Sequence, residues 1–511
     1  MLDRITNKPI NQIKAGAALN YVTILLSTLV GLLYTPFMLR MMGQSEYGLY
    51  SLVASIIGYL TILDLGFGNA IVRYTAKFRA QGKIQEQYEM FGMFFVLYVF
   101  IGLISVVLGA VLYNNVELMF GKSMTPEEVG KAKIMVRILI LNLAVTFPMS
   151  LFGSIMTAYE KFVFPKIISI IRLILNTFVM IALLKNGYKA IAMCVVQTFF
   201  NFTTLFINYI YCRYQIKIKV VFRKFNFGFL KEIAVYSFWI LLNVIMDKIY
   251  WNTGQFVLGA VSGTVAVAIF SVAIHLHSMY MQFSTSISSV FLPRVTSMVI
   301  KEATEEAISD LFIRTGRIQY SIMGFILAGF IVFGRQVINL WAGPDYGESY
   351  IITLIFYVSL LIPLIQSLGI TILQARNQMK FRSILYIVIA AVSLVLQIIF
   401  SRLWGGVGCA IAIAGALLIG QGVIMNIYYN NKQHINIKLF WKQILKMMII
   451  PAIIISLSLF VLQYVTIDSW AELLGGIVSF FIIYLPLFYL FSLNNYEKNM
   501  ISSFFRRTIK K

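Results

Sequence analysis

Charge is what this chain has least of. Only 12% of its 511 residues are Asp, Glu, Lys or Arg, about half the share carried by soluble domains. A soluble globular protein is thereby excluded. Cysteine is almost missing as well. Cys194, Cys212 and Cys409 lie in or beside apolar segments without metal-ligand spacing, which excludes a disulfide framework and a zinc site. The signatures of covalent and ATP chemistry are absent: there is no His-Glu-x-x-His, no Cys-x-x-Cys and no Gly-x-Ser-x-Gly. Gly121-Lys122-Ser123 resembles the end of a phosphate-binding loop, but Val116 stands where that loop requires glycine. No enzyme, no metal and no cofactor are expected. No polar interval is long enough for a separate soluble domain. A cleavable signal peptide is not expected either, since the first apolar segment is too long and no small-residue cleavage site follows it.

What is present is apolar: 59% of the residues are hydrophobic. A helix rising about 1.5 Å per residue needs about 20 apolar residues to cross a hydrocarbon core. By that rule spans are predicted near 15–38, 47–71, 90–113, 134–157, 166–184, 190–211, 233–258, 265–291, 316–334, 351–373, 383–402, 407–429, 447–466 and 472–492. The chain reads as an all-α polytopic membrane protein of about 14 transmembrane helices.

The formal net charge of +22 would suit nucleic acid, but its placement argues against that partner. The basic residues cluster in alternate short loops, as the positive-inside rule demands: Lys77, Arg79 and Lys83; Arg213, Lys217, Lys219, Arg223, Lys224 and Lys231; Arg376, Lys380 and Arg382; Lys432, Lys438, Lys442 and Lys446; and Arg506, Arg507, Lys510 and Lys511. The intervening loops are short or carry acids such as Glu117, Glu127, Glu128, Asp345 and Glu348. Both termini are predicted cytoplasmic. Residues 293–315, with a Glu-rich start and Arg314 and Arg317 at the end, are expected to form a short amphipathic helix on the cytoplasmic surface.

Local matches recur at an offset of about 220 residues. Gly43 with Tyr50-Ser51 returns as Gly263 with Phe270-Ser271. Arg73 and Thr75 return as Arg294 and Thr296, Ala190-Ile191-Ala192 as Ala410-Ile411-Ala412, and Ala158 as Ala375. Six spans separate the copies, so the expected architecture is a parallel repeat of two six-helix lobes with the binding site between them. The expected division is 1–211 for the first lobe, 212–232 for a basic cytoplasmic linker, 233–429 for the second lobe, and 430–511 for two additional helices and a basic tail.

The stretch Ser237–Gln255 places polar residues at membrane depth. Asn243, Asp247 and Trp251 are four apart and share a helical face that Gln255 continues, and Lys248 follows Asp247. Thr23, Ser27, Gly31 and Thr35 stand at the matching positions of span 1. An ionised group facing lipid is costly, so such a face is expected to line a protein interior or watery cavity. The plainer alternative places Asp247 and Lys248 at the interface with no further task. In span 8, Ser271, His275, Ser278, Gln282, Ser286 and Ser289 keep to one face. Hydroxyl stripes of this kind also serve plain packing, and a lone histidine is more often structural. Arg172 and Asn176 are one turn apart in span 5, Arg137 lies near the start of span 4, and Asp64 closes span 2 with Gly68 one turn on. The candidate substrate-binding set is Arg172, Lys248, Asn243, Trp251 and Gln282; cationic side chains suit an anionic group such as a pyrophosphate. The candidate coupling set, for a proton or sodium ion, is Asp64, Asp247 and His275. Trp239, Tyr250 and Trp251 suit stacking on sugar rings as well as an interfacial belt.

Leu65-Gly66-Phe67-Gly68-Asn69-Ala70, followed by Val72-Arg73-Tyr74 and Gly82, resembles the span-2 signature of polysaccharide-biosynthesis flippases, the O-antigen and capsule translocase group of the multidrug/oligosaccharidyl-lipid/polysaccharide exporter superfamily. Gly43-Gln44-Ser45-Glu46-Tyr47-Gly48-Leu49-Tyr50, Leu340-Trp341-Ala342-Gly343-Pro344-Asp345-Tyr346 and Gln374-Ala375 are similar to the same group. The resemblance covers nearly the whole chain. It implies a fold like that of multidrug and toxin exporters (MATE-like), alternating access, and movement of a polyprenyl-pyrophosphate-linked oligosaccharide across the cytoplasmic membrane of a bacterium, driven by H⁺ or Na⁺ antiport. Membrane lipid, the lipid-linked oligosaccharide, and a polysaccharide polymerase with other assembly proteins are the implied partners. A multidrug exporter using Asp64 and Asp247 on organic cations, a peptidoglycan-precursor flippase and a membrane scaffold are the alternatives.

Overall fold

Without water to hydrogen-bond the backbone, a membrane-spanning chain must satisfy its own N–H and C=O groups, and an apolar chain with few turn signals does so as helices. The structure, a computed structural model, describes residues 9–223, 227–499 and 502. Among them the regular elements are all helical. They run α1 (Pro9–Leu60), α2 (Phe67–Ala80), α3 (Ile84–Phe120), α4 (Pro126–Ala158), α5 (Val163–Lys185), α6 (Ala190–Tyr214), α7 (Phe227–Val261), α8 (Gly263–Ile300), α9 (Glu305–Trp341), α10 (Glu348–Ile365), α11 (Leu368–Ala375), α12 (Lys380–Leu417), α13 (Met425–Lys432), α14 (Ile437–Val461) and α15 (Trp470–Phe491).

Two of the apolar stretches, Ala18–Ala80 and Lys380–Lys432, are long enough for two spans each. Each is broken where the sequence separates spans: α1 at Gly43 (φ 78°, ψ 169°) and α12 at Trp404 and Gly405. The 37-residue helices α3 and α9 are about 55 Å long, so their ends stand outside a hydrocarbon core. Outward faces carry large apolar side chains such as Leu33 (75% exposed) and Leu118 (80% exposed), which suit lipid and not water.

The chain forms two compact units, divided between Ala268 and Ile269. In the first, α3 lies along α4, α4 packs on α6, and α1 packs on α5 and α7. Span 7 therefore packs with this unit. In the second, α9 packs on α10 and α14, α10 on α12, and α15 on α9 and α14. The repeat is visible in the backbone. Gly43 and Gly263 both adopt positive φ, 78° and 83°, at the turns that follow spans 1 and 7. Only glycine takes such a turn without strain.

Residues 293–315 do not form the separate surface helix expected from their charges. α8 continues to Ile300, a turn with Glu302 at φ 51° follows, and Thr304 caps α9, which runs unbroken into span 9. Arg317, read as the end of that surface helix, is buried in an ion pair with Glu497, Nε to Oε1 2.6 Å, and also donates to the Ser492 carbonyl at 3.1 Å. All three cysteines are free and buried.

Candidate functional site

The Leu65–Ala70 motif is a helix break. A 3-10 turn, Thr61–Asp64, ends span 2's first part; Leu65 and Gly66 then take left-handed conformations (φ 52° and 72°) before α2 begins. Asp64 sits at the break, and its Oδ1 accepts a hydrogen bond from the hydroxyl of fully buried Tyr98 at 2.9 Å. Phe67 packs edge-on against Phe94 and Tyr98, which fixes the turn. A carboxylate beside an interrupted helix is a suitable place to take up or release a cation.

The first unit holds a ladder of half-buried polar side chains on helices that span the membrane. The half-buried Arg172 guanidinium on α5 donates to Asn201 Oδ1 on α6 at 3.4 Å. Asn201 in turn donates to Asn142 Oδ1 and Thr146 Oγ1 on α4, both at 2.7 Å. Near the start of α5, Lys166 Nζ donates to Asn20 Oδ1 on α1 at 2.7 Å. Asn176 Oδ1, one turn beyond Arg172, is buried without a partner among the described residues. Arg137 faces Tyr113 both by a hydrogen bond and across its ring. The hydroxyls of Thr23 and Ser27 bond back to carbonyls of their own helix, Leu19 and Ile24.

On α7, Lys248 is half-buried and Asp247 exposed, so neighbours in sequence meet different surroundings. A Cβ at Gly58 would lie 2.7 Å from Asn252 Nδ2 and 3.7 Å from Lys248 Nζ, and glycine there makes room for the polar side chains of α7. Trp251 is half-buried beside Tyr250, ring centroids 6.2 Å apart. The side chains of Asn243, Trp239, Ser286, Ser289 and Arg294 lie outside the described residues.

In the second unit Gln282 is exposed, and the His275 ring lies parallel to that of Trp341 at 6.2 Å with its Nε2 unpartnered among the described residues. The polar centre of this unit was missed from the sequence. Span 10 breaks between α10, which contains Pro363, and α11, and the regular helical bonding of the Leu364 and Ile365 carbonyls stops there. Gln319 on α9 answers them: its amide nitrogen lies 3.1 Å from each, and its oxygen accepts from Ser288 and Ser367. Ser284 donates to Leu364 O as well, at 2.9 Å. Beside it Asn426 Oδ1 accepts from Gln366 Nε2 at 2.8 Å and from Trp441 Nε1 at 3.0 Å. Both units thus contain an interrupted helix: in the first a neighbouring hydroxyl answers the Asp64 carboxylate, and in this one neighbouring side chains answer backbone carbonyls.

Residues 13–299 match the family described as polysaccharide biosynthesis protein. The chain is 19% identical over 509 residues to a protein of Bacillus subtilis (strain 168) described as uncharacterized membrane protein EpsK, covering 96% of this chain and 97% of that one. Its fold is similar to that of lipid II flippase MurJ in an inward closed conformation, with a TM-score of 0.70 at 18% identity over 97% of this chain and 99% of that structure. It is also similar to a multidrug resistance MATE family transporter of the MOP superfamily in an inward-facing conformation, TM-score 0.59 at 15% identity, over 81% of this chain and 99% of that structure.

Proposed function

The chain belongs to the polysaccharide biosynthesis protein family, and on that premise we propose that it flips a polyprenyl-pyrophosphate-linked oligosaccharide across the cytoplasmic membrane of a bacterium for O-antigen, capsule or exopolysaccharide assembly. The observation that carries this reading is the polar ladder of the first unit: Lys166 and Arg172, oriented by Asn20 and Asn201, at the depth of membrane-spanning helices. Cations there are costly unless they meet an anion or water, and a pyrophosphate offers paired acceptor oxygens for a guanidinium. Lys248 supplies a further cation on α7. The basic loops face the cytoplasm in this reading, with both termini on that side. Alternating access is coupled to H⁺ or Na⁺, with Asp64 at its helix break as the first carrier to test, and Asp247 and His275 after it.

A second reading is a peptidoglycan-precursor flippase. It is favoured by the likeness to MurJ over nearly the full chain, including α14 and α15. Both readings share the polyprenyl pyrophosphate and differ in the sugar. Native mass spectrometry of the purified protein with polyprenyl pyrophosphate, polyprenol and an organic cation tests the shared part. Pyrophosphate is expected to bind more tightly than polyprenol, and Arg172→Ala to weaken it roughly tenfold. Equal affinity for polyprenol, or displacement by the organic cation, contradicts the reading.

A further inference from the structure

At the end of α3 away from Lys77, Arg79 and Lys83, the connections α3–α4 and α7–α8 and the bend of α1 meet at one carboxylate. Glu128 is the third residue of α4 and forms a capping box with Thr125. Its Oε2 accepts from the Thr125 backbone N–H at 2.8 Å and from the Thr125 hydroxyl at 3.1 Å. Its Oε1 accepts from Ser45 Oγ at 2.6 Å and from Thr264 Oγ1 at 2.7 Å. Ser45 and Thr264 stand just past Gly43 and Gly263, the corresponding positive-φ turns of the two repeat halves. One carboxylate from a third connection therefore ties both turns. Lys131 does not compete for it, because that ammonium is taken by Glu46 at 2.5 Å and Glu127 at 2.7 Å.

A seam between α1 and α7 runs down from this point. The Thr264 carbonyl lies so close to Gly48 that any Cβ there would collide with it. Leu52 packs on Gly259, Asn252 Nδ2 reaches Ser55 O at 3.5 Å, and Tyr59 bonds Thr253. Ser123 Oγ donates to Gly259 O at 2.6 Å and pins the α3–α4 connection onto it. Apart from the Glu128–Thr264 bond these links are neutral, and a hydrogen bond to an ionised acceptor is roughly twice as strong as a neutral one. Burial pushes the Glu128 carboxyl up, but the bonds from Ser45, Thr125 and Thr264 outweigh it and hold the group below its ordinary value, so it is charged at neutral pH.

We propose that Glu128 is the latch of an outer gate: it holds the α1 bend and the α7–α8 turn together while the α1–α7 seam is closed, and outward opening breaks the Glu128–Thr264 bond while the Thr125 capping box stays formed. This rests on the alternating-access transport and the sidedness proposed above. The latch explains why a carboxylate already occupied in a helix cap also collects hydroxyls from two distant turns, 83 and 136 residues away.

The test places a reporter, Ser55→Cys, in the seam of protein whose native cysteines are replaced, reconstituted in proteoliposomes. Its rate of labelling by a membrane-impermeant thiol reagent is read from each side. Thr264→Val, which removes one donor and keeps the capping box, is expected to speed labelling about tenfold, as is Glu128→Ala. The double variant is expected to label no faster than Glu128→Ala alone, because both remove the same bond. Glu127→Gln is expected to leave the rate unchanged. Unchanged labelling in both Thr264→Val and Glu128→Ala overturns the latch and leaves the transport reading standing. Faster labelling only from the side of the basic loops supports the latch and overturns the sidedness.

Discussion

Arg317 and Glu497 show how much one pair of residues can hold. Their side chains are 6% and 4% exposed, and together they tie the start of span 9 to the segment after α15. Removing one partner strands the other charge in a buried site. Arg317→Ala is expected to cost about 3–5 kcal/mol, whereas replacing both residues by apolar ones of similar volume is expected to cost far less; thermal unfolding in detergent compares them. The pair was illegible in the sequence because its members lie 180 residues apart and Arg317 reads naturally as the basic end of an amphipathic helix. Glu128 gives a prediction in pH. Its depressed pKa means that the charged form stabilises the fold fully above the ordinary value of 4.5 and that this contribution is lost as pH falls through the folded-state value. The difference in melting temperature between the native protein and Glu128→Gln is expected to be constant from about pH 5 to 8 and to shrink in more acid solution. A difference that changes across neutral pH would contradict this.

Among the elements, the broken helices carry most of the chemistry. Gly43 and Gly263 were legible as a repeated pair, and the structure gives both the backbone that only glycine tolerates. Gly43→Ala is expected to lower stability by about 1–3 kcal/mol through backbone strain. Gly263→Ala is expected to cost more, since its Cβ would also lie 2.7 Å from Ser123 O, while nothing lies within 4 Å at Gly43. Ranking the two by thermal unfolding checks this order. The break in span 10 was not legible. Gln319, Ser284, Ser288 and Ser367 are scattered over two helices and the break itself, and nothing in their spacing announces that they converge on the Leu364 and Ile365 carbonyls. Gln319→Leu removes that answer from the Ile365 carbonyl, while Leu364 O keeps the Ser284 hydroxyl, and is expected to cost about 1–3 kcal/mol, read as earlier unfolding and faster hydrogen exchange at α11. On α7 Asp247 is exposed where Lys248 is half-buried, and exposure is shared by side chains that line a watery cavity and side chains that face lipid.

At the scale of the molecule, spans could be counted because hydrocarbon thickness fixes their length, and family membership rests on a match over residues 13–299. The half-buried polar groups Asn142, Asn201 and Lys166 were passed over because single polar residues in membrane helices usually serve packing. What they do together is the central claim: an anion carried on a polyprenyl lipid meets cations held at membrane depth and crosses. Leaflet translocation in proteoliposomes tests it most directly. A polyprenyl-pyrophosphate oligosaccharide is placed in one leaflet and its arrival in the other is followed with and without a proton or sodium gradient. Translocation that requires the protein, quickens with a gradient and weakens in Arg172→Ala and Lys248→Ala is the expected result. No translocation, together with gradient-driven uptake of an organic cation that depends on Asp247, would contradict it.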